Sequence, residues 1–139
     1  VRPEQIEVEV TEQIVVRDDI TIAQELNILR RHGFSLALDD FGTGYASIGY
    51  LTRMPFDVLK IDRSFAKFHA NNMQFQRMVR SMVGLAHAMD LRIIAEGIET
   101  QEEAVWFRDL GADFLQGYHF GGPAQIADHP SLSARLAGQ

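Results

Sequence analysis

The segment Ala37-Leu38-Asp39-Asp40-Phe41-Gly42-Thr43-Gly44 is the most informative part of the sequence. Its apolar residues end in two adjacent carboxylates, which a glycine-containing loop follows. Three other short apolar segments also end in acids, at Glu9–Glu12, Asp62 and Glu96–Glu99, and a fourth ends in the amide Gln116. The carboxyl ends of parallel strands converge at one edge of a sheet or barrel, where the catalytic sites of α/β proteins lie. Carboxylates gathered so closely repel one another unless cations lie between them. The pattern therefore predicts a metal site.

The composition is that of one compact globular domain. The chain has 139 residues, of which 46% are hydrophobic and 23% charged, enough for a single core. A net charge of −6 argues against a DNA-binding surface, although bound cations would still admit an anionic nucleotide. The absence of cysteine excludes disulfides and thiolate metal sites and favours a cytoplasmic domain. No segment is apolar and long enough to cross a membrane, so we expect no membrane contact from this segment, whatever sensor or membrane domains a parent protein carries.

Strand and helix patterns alternate along the chain. We predict strands at residues 6–11, 35–39, 58–61, 92–95 and 113–116. We predict helices at residues 20–32, 46–52, 74–89, 101–110 and 132–136. Thr100 and Glu103 form the pattern of a capping box before the fourth of these helices. The helix at 74–89 is expected to bury one face that consists of Met78, Met82, Leu85 and Met89.

Repeated β/α units form either an open doubly wound sheet or a (β/α)8 barrel. Two observations favour the barrel. Polar residues end all five strands, whereas an open sheet concentrates them at one switch point, and no glycine-rich phosphate-binding turn follows the first strand. A complete barrel needs eight strands and roughly 250 residues. The predicted fold is therefore α/β, a partial (β/α)8 TIM-type barrel of about five β/α units.

The same strand ends resemble those of EAL domains, the family of cyclic-di-GMP phosphodiesterases in bacterial signal transduction. The matching segments are Glu9-Val10-Thr11-Glu12, Asp39-Asp40-Phe41-Gly42-Thr43-Gly44-Tyr45, Leu59-Lys60-Ile61-Asp62, Ala95-Glu96-Gly97-Ile98-Glu99 and Gln116-Gly117-Tyr118. Their order and spacing match the family from its fourth to its eighth strand, up to about residue 123. We therefore expect residues 1–139 to be the C-terminal part of a single EAL domain, whose N-terminal part lies outside this chain.

The resemblance implies a two-metal site for Mg²⁺ or Mn²⁺ at the mouth of the barrel. Its metal positions are Glu9, Asp39, Asp40 and Asp62. Its catalytic positions are Lys60, which would hold the attacking water or a phosphate oxygen, and Glu96, which would bind metal-linked water. Either Glu96 or solvent would then accept the proton of that water as general base. The positions that would support the site and the ligand are Gln116, Glu99, Glu12, Gly42, Thr43 and Gly44.

Physical chemistry agrees with these roles. Hydrolysis of a phosphodiester needs a nucleophile at neutral pH and relief of charge on the leaving oxygen, and two cations about 4 Å apart supply both. Such hard cations prefer oxygen ligands, which explains carboxylates rather than histidines. Lys60 should stay protonated among so many acids. The competing interpretation of single acids such as Glu12, Asp62 or Glu99 is helix capping or a surface ion pair.

The chain departs from the family in lacking the Glu-Ala-Leu signature of the first strand and the asparagine ligand of the third. Both metals would lose oxygen donors, so we expect hydrolysis to linear pGpG by the parent protein and an inactive isolated fragment. One alternative is a catalytically inactive EAL module that binds cyclic-di-GMP or signals through dimerisation. Another is an unrelated metal-dependent barrel enzyme. We expect a homodimer formed through the loop and helix after Asp40.

Overall fold

The computed structural model describes residues 1–17, 19–42, 48–67 and 72–122. Within them, one sheet of five parallel strands has the spatial order β1-β2-β3-β4-β5, which is also the order along the chain. The strands are β1 (Glu7–Thr11), β2 (Ser35–Phe41), β3 (Val58–Ile61), β4 (Arg92–Ala95) and β5 (Phe114–Leu115). An order without reversal is that of successive units of a barrel, and it contains no switch point. The predicted partial barrel is confirmed, and the doubly wound sheet is not observed among these strands.

Helices follow the strands along the chain. After a 3-10 turn at Pro3–Gln5, they are α1 (Glu12–Arg17), α2 (Asp19–Arg31), α3 (Ile48–Arg53), α4 (Ser64–Lys67), α5 (Met73–Ala88) and α6 (Gln101–Leu110). The predicted bounds of β3 and β4 are exact. Helices α1 and α4 were not predicted, because six and four residues are too few to show a helical period. The helix predicted at 132–136 lies outside the described residues.

The two faces of the sheet differ in chemistry. Registered positions on one face carry Val10, Leu38, Leu59 and Ile93. These side chains form the apolar core with residues of the helices that include Leu26, Val79, Val83, Ala86 and Phe107. Because side chains alternate along a strand, the opposite face carries Glu9, Asp39, Lys60 and Glu96. The fold thus separates an apolar, helix-covered face from a charged face.

Helix α5 buries a different face from the one predicted. Its buried side chains are Val79, Val83 and Ala86, whereas Met78 is 45% exposed. The prediction was wrong for Met78, and Met82, Leu85 and Met89 are only partly buried. Small and β-branched side chains let the helix lie close to β4, and the longer methionine side chains flank this contact. Both stripes have helical spacing, so periodicity alone did not distinguish them.

Helix α6 begins with the predicted capping box. Thr100 Oγ1 accepts a hydrogen bond from Glu103 N at 3.2 Å, and Glu103 Oε2 accepts from Thr100 N at 3.2 Å. The same carboxylate oxygen accepts from Glu99 N at 2.7 Å. The cap therefore also fixes the segment that leads from β4 into the helix. Among the described residues, no helix is long and apolar enough to cross a bilayer.

Candidate active site

Lys60 occupies the centre of the charged face. It is only 3% exposed, and its Nζ donates hydrogen bonds to Glu9 Oε1 and, at 2.8 Å, to Glu96 Oε1. The ammonium group therefore connects β1, β3 and the end of β4. Burial alone would lower the pKa of Lys60, but the hydrogen bonds and charges of Glu9 and Glu96 outweigh burial and raise this pKa above its ordinary value. The lysine stays charged at neutral pH, as its acidic surroundings led us to expect.

Three carboxylates gather beside this lysine. Asp39, Asp40 and Glu96 each offer a carboxylate oxygen, and these oxygens all lie within 4.8 Å of one another. Neighbours on a regular strand point to opposite faces, so Asp39 and Asp40 would normally diverge. Asp40 instead has a left-handed φ of +57°, and the register between β2 and β3 shifts between Leu38 and Phe41. This irregularity brings both carboxylates to one side, since aspartate tolerates the left-handed region better than most residues.

The carboxylates of this group carry more negative charge than Lys60 offsets. Burial, followed by the charges of Asp39, Asp62 and Glu12, raises the pKa of Asp40, which Lys60 only partly opposes. Burial also raises the pKa of Glu96, with a further contribution from the charge and hydrogen bond of Asp39 and opposition from Lys60. A divalent cation would relieve both effects. The donors are all oxygens, so the residues present fit a hard cation such as Mg²⁺ or Mn²⁺.

Asp62, the next predicted metal position, makes hydrogen bonds of its own at the end of β3. Its Oδ1 accepts a hydrogen bond from Ser64 N at 2.9 Å at the start of α4. Although burial opposes ionisation, the hydrogen bonds from Ser64 and Arg63 and the charge of Arg63 lower the pKa of Asp62. The capping interpretation thus holds for Asp62, which stays close enough to Asp40 to influence it. Asp62 and Glu9 both lie outside the group of three carboxylates.

The remaining predicted positions surround the group. Glu12 is buried at the start of α1, and its charge acts on Asp40. Glu99 forms an ion pair with Lys67, with 3.5 Å between Oε1 and Nζ, and both side chains are largely exposed. Gly42 lies directly after β2, two residues beyond Asp40, and has a φ of +95°. Thr43 and Gly44 lie outside the described residues.

A cavity of about 570 Å³ opens between the ends of β3, β4 and β5, a size within the range of small-molecule sites. Its wall includes the predicted residues Asp62, Glu96, Glu99 and Gln116. Arg63 and Tyr118 also line it, although sequence reasoning had given them no role. Their signal was adjacency, because each lies within two residues of a predicted site position. Through a bound divalent cation, the cavity can hold an anionic ligand beside the aromatic side chain of Tyr118.

The sheet and its carboxylate group place this protein in the class of barrel-type α/β proteins with an acidic site at the carboxyl ends of the strands. The sequence model of the EAL domain family matches residues 1–123. The chain therefore belongs to the EAL domain family.

Relatives and solved structures agree with this assignment. The cyclic di-GMP phosphodiesterase NbdA of Pseudomonas aeruginosa is 36% identical over 122 residues, which cover 88% of this chain and 16% of NbdA. The EAL enzyme Bd1971, solved with cAMP and cyclic-di-GMP bound, is 41% identical with a TM-score of 0.85 and covers 99% of this chain and 35% of that chain. BlrP1 of Klebsiella pneumoniae, solved as a manganese and cyclic-di-GMP complex, is 35% identical with a TM-score of 0.82, covering 89% of this chain and 32% of that chain. This chain spans 15–24% of the length of eight curated relatives that it matches, NbdA among them.

Proposed function

We propose that the protein carrying this chain is a metal-dependent phosphodiesterase that hydrolyses cyclic-di-GMP to linear pGpG. The observation that carries the proposal is the group of Asp39, Asp40 and Glu96 beside a buried, charged Lys60. It lies at the carboxyl end of an EAL-family sheet, and EAL relatives such as NbdA are named cyclic di-GMP phosphodiesterases. The BlrP1 and Bd1971 complexes support the choice of ligand.

The cofactor of this reaction is Mg²⁺ or Mn²⁺ in a two-metal site. Asp39 and Asp40 would hold a cation beside Glu96, with Glu9 and Asp62 as further ligands from the neighbouring strands. When bound, such cations neutralise phosphate charge and lower the pKa of water. The manganese complex of BlrP1 supports manganese as one suitable ion.

The side chains of this chain provide the remaining chemistry. The charged Lys60 ammonium holds the attacking water or a phosphate oxygen by hydrogen bonding. Glu96 accepts the proton of that water as general base. Gln116 and Glu99, in the cavity wall, bind the nucleotide. Glu12 supports the segment that contains Gly42, Thr43 and Gly44.

Residues 1–139 act as the C-terminal part of one EAL domain, which works in the cytoplasm as a homodimer formed through the loop and helix after Asp40. Five described strands are fewer than the eight of a closed barrel. The missing strands would supply further donors for the cations and the nucleotide. Hydrolysis therefore needs the complete domain, and the 139-residue chain alone is inactive.

The test compares the natural full-length protein, the 139-residue chain and a full-length Asp39→Asn variant in the presence of Mn²⁺. Chromatography of cyclic-di-GMP and pGpG should show turnover by the unmodified full-length protein and none by the 139-residue chain, with a rate about 100-fold lower for the full-length Asp39→Asn variant. Calorimetric binding of cyclic-di-GMP without turnover would instead support the inactive binding module. Tight Mn²⁺ binding with no affinity for cyclic-di-GMP would favour an unrelated metal-dependent enzyme.

A further inference from the structure

The loops after β3, β4 and β5 remain joined beyond the last paired residues of the strands. Glu96 N donates a hydrogen bond to Ile61 O at 3.1 Å, and Ile98 N donates to Gln116 O at 3.0 Å. His119 N donates in turn to Ile98 O at 3.0 Å. The three loops therefore form one hydrogen-bonded layer at the mouth. This layer carries three of the predicted site residues, which are Asp62, Glu96 and Gln116.

Gly97 provides the contact between the first two loops of this layer. Its φ is +70°, and a Cβ added there would lie 2.1 Å from Arg63 Cβ and 3.1 Å from Arg63 Cα. No real Cβ tolerates the shorter distance, so any side chain at position 97 pushes the two loops apart. Gly97 is adjacent to Glu96, and Arg63 is adjacent to Asp62. The separation of these two carboxylates thus depends on a hydrogen atom at position 97.

Gly117 provides the contact between the second and third loops. A Cβ there would lie 2.1 Å from Ile98 O and 2.3 Å from Ile98 N. Both atoms belong to the backbone and are held by the hydrogen bonds to Gln116 and His119. No side-chain rotation can relieve this overlap. Gly117 therefore fixes how closely Gln116 approaches the loop that carries Glu96.

We propose that Gly97 and Gly117 are positioning residues, which set the separation of Asp62, Glu96 and Gln116 across the mouth by allowing three loops to stack. The inference rests on the proposed function, because a defined separation matters when these groups act on one cation–nucleotide complex. Neither glycine touches the ligand through a side chain. Their effect is exerted through the residue that precedes each of them.

The first experiment measures Mn²⁺ affinity by calorimetry in the natural full-length protein with Gly97→Ala. We expect at least a tenfold weaker affinity, the scale of losses when groups that orient metal ligands are removed. The matched control is Gly111→Ala, whose φ is +100° but whose added Cβ would lie 3.5 Å from the nearest atom, in His87. The control carries the same kind of left-handed strain without an overlap, so it should lower the melting temperature and leave the Mn²⁺ affinity unchanged. Equal losses of affinity in both variants would overturn the inference.

The second experiment asks whether the overlap itself is the cause. In a background with Arg63→Gly, the Cβ of Arg63 is gone and only its Cα remains near, at 3.1 Å. Gly97→Ala should then weaken Mn²⁺ binding less than threefold relative to Arg63→Gly alone. Gly117→Ala should weaken binding equally with or without Arg63→Gly, because its overlap is with Ile98. A loss from Gly97→Ala that is the same in both backgrounds would contradict the proposal.

A third measurement separates this inference from the proposed function. Amide hydrogen exchange at Glu96 and Ile98 reports the hydrogen bonds between the loops whether or not a metal binds. Gly97→Ala should accelerate exchange at both amides at least tenfold relative to the amide of Ile93, and Gly111→Ala should not. Unchanged exchange would refute the positioning role even in an active enzyme. Accelerated exchange in a protein that neither binds Mn²⁺ nor hydrolyses cyclic-di-GMP would uphold the loop contact and refute the proposed function.

Discussion

Two sets of carboxylates in this protein differ in what they contact. Asp62, Glu103 and Asp113 accept hydrogen bonds from backbone amides, and the pKa of Asp62 and that of Asp113 are lowered. Asp39, Asp40 and Glu96 lie against one another, and the pKa of Asp40 and that of Glu96 are raised. A lowered carboxyl pKa means that ionisation stabilises the fold, whereas a raised one means that it costs stability. Ionisation of the first set stabilises the fold whether or not a member also has a function, whereas the cost of ionising the second set needs a function to explain it.

The largest expected effect on stability concerns Lys60, whose positive charge partly offsets the negative charge of Asp39, Asp40 and Glu96. Lys60→Met keeps the length of the side chain but leaves Glu9 and Glu96 without their shared cation. We expect the free energy of unfolding of the complete domain to fall by about 2 kcal/mol, because two charge-assisted hydrogen bonds are lost while the carboxylates of Glu9 and Glu96 stay partly solvated. Urea unfolding measures this change in metal-free buffer.

Lys67→Met is the matched control for Lys60→Met. Lys67 also pairs with a glutamate, but both side chains are largely exposed, so its loss should change the free energy of unfolding by less than about 1 kcal/mol. Adding Glu96→Gln to Lys60→Met should recover part of the lost stability. If Lys60→Met were as stable as the unmodified domain, the charge balance described for this site would be wrong.

A smaller effect is expected at Asp113, in the hydrogen-bonded set. Its Oδ2 accepts a hydrogen bond from Ile93 N at 2.7 Å and lies 3.0 Å from His87 Nε2. Burial opposes ionisation, but the bonds from His87 and Ile93 outweigh it and lower the pKa of Asp113 below its usual 3.8. Asp113→Ala should therefore reduce the free energy of unfolding by about 1 kcal/mol at pH 7.

The pH dependence of this variant distinguishes charge from packing. Because the folded pKa is lowered, the stabilisation is complete above the unfolded pKa and is lost as the pH falls through the folded value. The difference in free energy of unfolding between Asp113→Ala and the unmodified domain should thus narrow as the pH falls below about 5. Asp109→Ala, at an exposed carboxylate paired with Arg108, should show little difference at any pH. A pH-independent gap would assign the effect to packing alone.

Sequence patterns predicted the strands of the sheet better than the contacts of the carboxylates at their ends. The strands β3 and β4 are short apolar runs with turn residues nearby, so their bounds followed directly. The convergence of Asp39, Asp40 and Glu96 followed from parallel order. The left-handed φ of Asp40 did not, because it depends on a register shift against β3 that only tertiary pairing produces.

The role of Asp62 and the buried face of α5 show the same limit. Asp62 finds its backbone partner in α4, a helix of four residues that has no sequence period. In α5, the valine and methionine stripes have similar spacing, and the choice between them depends on how closely the helix approaches β4. Local pattern therefore predicted which residues come near one another, while contacts between elements decided what each side chain binds.

The smallest expected effect is a gain in stability rather than a loss. It comes from a substitution at Asp40, within the group of Asp39, Asp40 and Glu96. The folded pKa of Asp40 is raised above its unfolded value, so the ionised carboxylate costs stability above that pKa, at neutral pH included. Asp40→Asn removes this charge and keeps a side chain that also tolerates the left-handed region. In metal-free buffer the free energy of unfolding should rise by about 0.5 kcal/mol, a modest value because the site is partly solvated.

Metal should reverse this gain, because a ligand that binds only the folded state stabilises it more when it binds more tightly, and Asp40→Asn should bind Mn²⁺ more weakly than the unmodified domain does. Calorimetric scans with excess chelator and with excess Mn²⁺ measure both states of Asp40→Asn and of the unmodified domain. The variant should be the more stable protein in chelator and the less stable one in Mn²⁺. If Asp40→Asn were the less stable protein in both buffers, ionised Asp40 would stabilise the fold as the carboxylates of the first set do, and the distinction between the two sets would fail.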